Sequence, residues 1–132
     1  MMRKRTTPRP TDAELAILRV LWRQGPSTVR QVFDVLSRQR AVGYTTVLKL
    51  LQIMTQKGLV ARDETRQVHV CRARISQDKT QRQLLRHLLE RAFDGSAQKL
   101  VMQALKAKKT SPAELAEIRQ LLDQLESRRH GE

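Results

Sequence analysis

The chain has 132 residues, a formal net charge of +13 and few aromatic rings, one Trp, one Tyr and two Phe. With 26 Lys and Arg against 13 Asp and Glu, it is built to meet a polyanion, nucleic acid first and an anionic membrane surface second. So few rings argue against stacking of single-stranded bases, which favours duplex DNA, and no apolar run approaches membrane-spanning length.

The charge is uneven. Residues 1–75 hold 15 Lys and Arg against 5 Asp and Glu, whereas residues 76–132 hold 11 against 8. The polyanion-facing part is therefore the N-terminal half. The lone cysteine, Cys71, has no internal disulfide partner, which fits a reducing cytoplasm. No charged-then-apolar signal peptide opens the chain.

Residues 1–10 contain two prolines and no apolar periodicity, and read as a flexible basic arm. Thr11-Asp-Ala-Glu14 is a capping box, in which threonine and glutamate satisfy each other's backbone amides at a helix start. The helix that follows is expected to bury Leu15, Leu18, Leu21 and Trp22 and to stop at Gly25-Pro26. Ser27 is expected to cap a second helix that turns Val29, Val32, Phe33 and Leu36 inward.

Between Gly43 and Gly58 the chain reads as one amphipathic helix. Val47, Leu50, Leu51 and Met54 recur at i, i+3, i+4 and i+7 and so share a buried face. Thr45, Thr46, Lys49, Gln52 and Gln56 fall largely on the other face, which carries hydrogen-bonding groups and a cation but no carboxylate. A face made only for solubility mixes both signs; this one suits a major groove.

After Gly58, Leu59-Val-Ala-Arg62 has strand composition and Asp63-Glu-Thr-Arg66 is a polar turn. Gln67-Val-His-Val-Cys-Arg72 alternates, with Val68 and Val70 expected on one face. Two helices, a third polar-faced helix and a hairpin make a winged helix-turn-helix over 11–74.

Residues 75–132 are helical in signal. Three amphipathic segments carry Leu84, Leu85, Leu88 and Leu89, then Leu100, Val101, Ala104 and Leu105, then Leu115, Ile118, Leu121, Leu122 and Leu125. The third opens with another capping box, Ser111-Pro-Ala-Glu114. Helices this short scarcely bury their own stripes, and pairing of two copies completes such a core. The expected dimerisation residues are Leu84, Leu88, Leu100, Val101, Leu115, Ile118, Leu121, Leu122 and Leu125. The fold class expected is mostly α, a winged helix followed by a helical dimerisation region.

Four segments, in order, carry a resemblance: Thr11 to Trp22, Tyr44-Thr-Thr-Val-Leu through Lys57-Gly-Leu-Val60, Phe93-Asp-Gly-Ser-Ala-Gln-Lys-Leu-Val101, and Ser111 to Leu122. The chain resembles the penicillinase-repressor family of bacterial transcriptional regulators, the BlaI/MecI/CopY group, over roughly 10–128. The resemblance implies a dimer that binds palindromic operators and holds downstream genes off. Two departures stand out. The β-lactam-responsive branch carries an Asn-Phe bond cut by a membrane sensor metalloprotease, and the matching position here is Gln103-Ala104. Copper-responsive relatives carry paired Cys-x-Cys motifs, and this chain has only Cys71.

The residues expected to meet DNA are Tyr44, Thr45, Thr46, Lys49 and Gln52 on the helix, with Arg62 and Arg66 on the wing. Gln pairs with adenine N6 and N7, Lys with guanine O6 and N7, and a Thr methyl contacts a thymine methyl. Tyr44 either donates its hydroxyl to a phosphate or packs on the second helix. Arg66, helped by Arg62, is placed to neutralise backbone phosphate, and Arg38 and Arg40 are similar candidates. His69 and Cys71, at i and i+2, make half a metal site at most, and a strand residue beside a small buried hydrophobe explains them better. No nucleophile elbow, phosphate-cradling glycine loop or His-Glu-x-x-His occurs, so neither an enzyme nor a cofactor is expected. The competing reading is an architectural winged-helix protein that binds DNA or RNA by charge with little sequence preference.

Overall fold

The computed structural model describes residues 8–65 and 67–131, which form six helices and one two-stranded antiparallel sheet. They group into two compact units, one ending at Leu85 and one beginning at Arg86.

The first unit opens with helix α1, Asp12–Gln24, fixed by its cap. The Thr11 N–H donates to Glu14 Oε1 at 2.9 Å and the Glu14 N–H donates to Thr11 Oγ1 at 3.2 Å, so two orphan amides are satisfied reciprocally. Ile17, Leu18 and Leu21 are buried, while Leu15 and Trp22 are half-buried. Helix α2, Val29–Gln39, starts one residue later than expected. Its cap is Thr28, in a second capping box with Gln31. Ser27 has another task. Its N–H donates to the Cys71 carbonyl at 2.9 Å and its own carbonyl accepts from the Cys71 N–H at 2.8 Å.

Helix α3, Tyr44–Lys57, follows a short extended link and ends at Gly58. Gly58 sits at φ 83°, a left-handed conformation that costs a side-chain-bearing residue about 1 kcal/mol or more and lets its N–H reach back to the helix's last carbonyls. The chain then enters β1, Val60–Asp63, which pairs with β2, Val70–Ala73, in the register Val60 to Ala73 and Arg62 to Cys71. Because β2 also pairs with Ser27, the hairpin is stitched to the turn between α1 and α2.

That stitching decides which face of β2 is inside. Cys71 is buried, Val70 half-buried and Val68 exposed, ahead of the strand. Cys71 is thus the small buried hydrophobe expected there, with Ala73 half-buried on the same side of β2, while Val68, expected to share a face with Val70, lies outside the strand. The core joins Ile17, Leu18, Leu21, Val32, Leu36, Val47, Leu51, Met54, Leu59 and Val60 with Cys71 and Ile75. Each fully buried aliphatic side chain stabilises the fold by about 1.5–3 kcal/mol. Trp22 Nε1 donates to the Ile75 carbonyl at 2.9 Å and fixes the exit from the sheet against α1.

Helix α4, Gln77–Ala92, begins in the first unit, where Thr80 is buried and its Oγ1 donates to the Ser76 carbonyl. The second unit continues with α5, Ala97–Ala107, and α6, Pro112–His130, the latter opened by the Ser111–Glu114 capping box. Neither α5 nor α6 has a buried residue. Leu100, Leu105, Leu115 and Ile118 are half-buried, and Leu88, Val101, Met102, Leu121, Leu122 and Leu125 are exposed.

Candidate nucleic-acid interface

Helix α3 is held from below by Val47, Leu51 and Met54, all buried, so its opposite face is fixed toward solvent. Thr45, Thr46, Lys49, Gln52 and Gln56 are exposed, and no carboxylate lies on the helix. The start of α3 adds to its positive end: Gly43 offers no side-chain cap and the first turn holds no acidic residue. Thr55 is also exposed, but its Oγ1 donates to the Leu51 carbonyl at 2.7 Å, which leaves its methyl as the free group.

Tyr44 packs edge-on against Phe33 of α2, with ring centroids 5.7 Å apart and planes at 75°, and is still 41% exposed. Packing on the second helix is thus observed, with part of the side chain still in solvent. The Arg30 guanidinium lies over the Phe33 ring, 5.7 Å from its centroid. Sequence reasoning offered packing of Tyr44 on the second helix as one of two alternatives, but named neither Phe33 as its partner nor the Arg30 contact.

The end of α3 is anchored by a contact that links residues 43 apart. Lys57 Nζ donates to Glu14 Oε1 at 2.9 Å and Oε2 at 2.8 Å. The Glu14 side chain is 2% exposed and that of Lys57 32%. Burial is the largest influence on the Glu14 carboxyl and opposes its ionisation. The Lys57 hydrogen bond and charge, with the hydrogen bonds at Thr11, together outweigh it and hold the carboxyl below its ordinary value. One glutamate therefore caps α1 and clamps α3.

Arg62 stands on β1, where it borders the same open cleft as Gln52, Thr55 and Gln56 of α3. Its Nε is 3.6 Å from Glu64 Oε1, a contact across the edge of that cleft. Gln56 and Glu64 were absent from the expected site. Gln56 was legible as the residue one turn beyond Gln52; Glu64 was not, because it sits in a segment that read only as a polar turn. Arg66 lies outside the described residues. Arg38 and Arg40 are exposed, and Arg40 closes the end of α2.

Cys71 is buried, which pushes its thiol up from the ordinary value, with the Arg62 charge opposing. Among the described residues no group of three or more His, Cys, Asp or Glu could hold a metal ion, and no helix is long and apolar enough to cross a membrane. Gln103 and Ala104 lie inside α5, both exposed.

A family model described as penicillinase repressor matches residues 10–124. The chain is 48% identical over 50 residues to a transcriptional regulator BlaI of Mycobacterium tuberculosis, a match over 37% of this chain and 36% of that relative. The chain thus spans about a third of that relative's length in the matched stretch. It is 23% identical over 122 residues to a penicillinase repressor of Bacillus licheniformis, covering 92% of this chain and 95% of that one. Among solved structures, the solution structure of the DNA-binding domain of the repressor BlaI superposes with a TM-score of 0.50 at 22% identity, over 58% of this chain and 93% of that domain. That likeness bears on the fold, a winged helix. With the family match running through nearly the whole chain, the protein belongs to the penicillinase repressor family.

Proposed function

We propose that this chain is a cytoplasmic, homodimeric transcriptional repressor that reads a palindromic operator with α3. Thr45, Thr46, Lys49 and Gln52 enter the major groove, Tyr44 approaches the backbone at the helix start, and Arg62 and Arg66 neutralise flanking phosphates. The observation that carries this reading is the exposed, carboxylate-free face of a helix clamped at both ends, by the Phe33–Tyr44 contact and by Glu14–Lys57. A rigid helix with that chemistry suits base-edge readout. Family membership supports it, as do relatives named as a transcriptional regulator and a penicillinase repressor.

Residues 75–132 supply the pairing in this reading, and residues 11–74 the DNA-binding module. Support comes from the apolar side chains of α4 to α6, none of which is buried within one copy beyond Leu85. A row of leucines half in water is costly at about 25 cal/mol per Å² of apolar surface, and a second copy would remove that cost. Pairing also sets the spacing of two α3 helices at about 34–36 Å, one turn of DNA. Release by the family's protease route is disfavoured, since Gln103-Ala104 lacks the Asn-Phe identity and sits within regular helix.

Binding to fragments of the source genome at physiological salt, followed by sequencing of what is retained, tests the proposal. A recovered palindrome with half-sites about one turn apart is the expected result. Retention without shared sequence would instead establish the charge-driven architectural reading, for which the net charge of +13 is the motive.

A further inference from the structure

A second cationic feature lies between α1 and α2. Arg19 and Arg23, one turn apart on α1, and Arg40 at the end of α2 border a cleft of about 60 Å³ floored by Ala16, Val20 and Val35. By the same measure a water needs about 10–15 Å³, so the cleft admits a group several times larger. No carboxylate borders it, and none of the three arginines takes part in an ion pair among the described residues.

This arrangement carries an electrostatic cost. Two arginines at i and i+4 repel by a few tenths of a kcal/mol, and Arg40, capping the end of α2 on the same cleft, adds a third like charge. Some cations of the first unit sit beside a carboxylate, Arg30 with Asp34, Lys57 with Glu14 and Arg62 with Glu64, whereas no carboxylate reaches these three. Guanidinium groups take oxyanions through paired N–H donors in a planar fork, and three of them match a group with several charged oxygens. The bordering residues come from α1 and the C-terminal part of α2, and none belongs to α3 or to the hairpin.

We propose that this α1–α2 cleft binds a small free phosphoanion, a compact ligand carrying a terminal phosphate or diphosphate, at a site separate from the α3 face. Charge complementarity selects the class: a divalent or trivalent anion relieves the mutual repulsion of Arg19, Arg23 and Arg40, which a neutral ligand cannot do. The apolar floor sets a limit on depth, so the charged oxygens stay at the rim.

Pyrophosphate titrated into the full-length protein, followed by amide chemical shifts and calorimetry, provides the test. Saturable shifts centred on Arg19 to Gln24 and on Gln39 and Arg40 are expected. The double variant Arg19→Gln with Arg23→Gln should weaken that binding about tenfold or more, while DNA affinity and melting temperature stay as in the parent. Lys49→Ala should leave it unchanged, which separates this cleft from anion binding on the DNA-reading face. Shifts confined to α3 and the hairpin, or a double variant that binds pyrophosphate as the parent does, would overturn the proposal. So would loss of DNA affinity in the double variant without any pyrophosphate site, since the arginines would then serve the DNA backbone.

Discussion

Lys57 Nζ lies within 2.9 Å of both carboxylate oxygens of Glu14, so the last turn of α3 is bolted to the first turn of α1. The same carboxylate accepts the Thr11 amide that starts the chain's first helix. The start of α1 and the end of α3 are thus tied through one side chain. Lys57→Met removes the cation while keeping much of its apolar stem, and leaves Glu14 buried without its partner. The expected loss is about 3 kcal/mol, at the lower end for breaking a buried pair because water reaches about a third of the Lys57 side chain. Urea unfolding checks it; an unchanged midpoint would show that the pair contributes little.

The same pair sets a pH dependence. Glu14 titrates lower in the folded chain than its ordinary 4.5, so the unfolded chain takes up its proton first as pH falls. The stabilisation is complete above the unfolded value and disappears as pH drops through the lowered folded value. Melting temperature should therefore fall on acidification below about pH 5, and Glu14→Gln should show a flatter profile over that window. A variant profile parallel to the parent's would assign acid sensitivity to other carboxylates.

On the face of α3 proposed to read DNA, Lys49→Ala and Gln52→Ala are expected to behave differently. Loss of a base-reading glutamine costs about 1–3 kcal/mol at one operator position and relaxes preference there. If Lys49 meets phosphate rather than guanine, its removal lowers affinity for all sequences alike and reduces the salt slope by about 0.9. Binding measured at several salt concentrations, on operator and on scrambled duplex, distinguishes the two roles. Both side chains are exposed on α3 and neither supports the core, so stability should stay within about 0.5 kcal/mol.

Leu121 is 54% exposed in a single copy. Leu121→Asp should therefore leave the monomer's secondary structure unchanged while shifting sedimentation toward monomer and lowering operator affinity. A variant that stays dimeric with parental affinity would remove α6 from the pairing surface.

Cys71 is buried, and burial raises its thiol above the ordinary range. Its reaction with a disulfide reagent at neutral pH should be slow in the native protein and fast in denaturant. Rapid native labelling would mean that the hairpin opens readily. Cys71→Ser places a hydroxyl in the same dry site and is expected to cost about 1–3 kcal/mol.

Much of this molecule is written in short-range pattern. The capping boxes at Thr11 and Ser111, the stop at Gly58 and the i, i+3, i+4, i+7 stripe of α3 define helix ends and faces, because each depends on residues within one or two turns. The exposed face of α3 followed directly, since fixing Val47, Leu51 and Met54 inward leaves Thr45, Lys49, Gln52 and Gln56 outward. Three relationships did not follow. Which face of β2 is buried was undecided by alternation, because both phases of a short strand are locally equivalent; the backbone pairing of Cys71 with Ser27 chose. That same pairing took Ser27 away from the cap and left it to Thr28. The meeting of Glu14 with Lys57, and of Arg19 and Arg23 with Arg40, depends on how helices cross, which is set by core packing among distant residues. Local periodicity determined the helices and their faces; only the tertiary structure decided which charges face one another, because a charge finds its partner through space rather than along the chain.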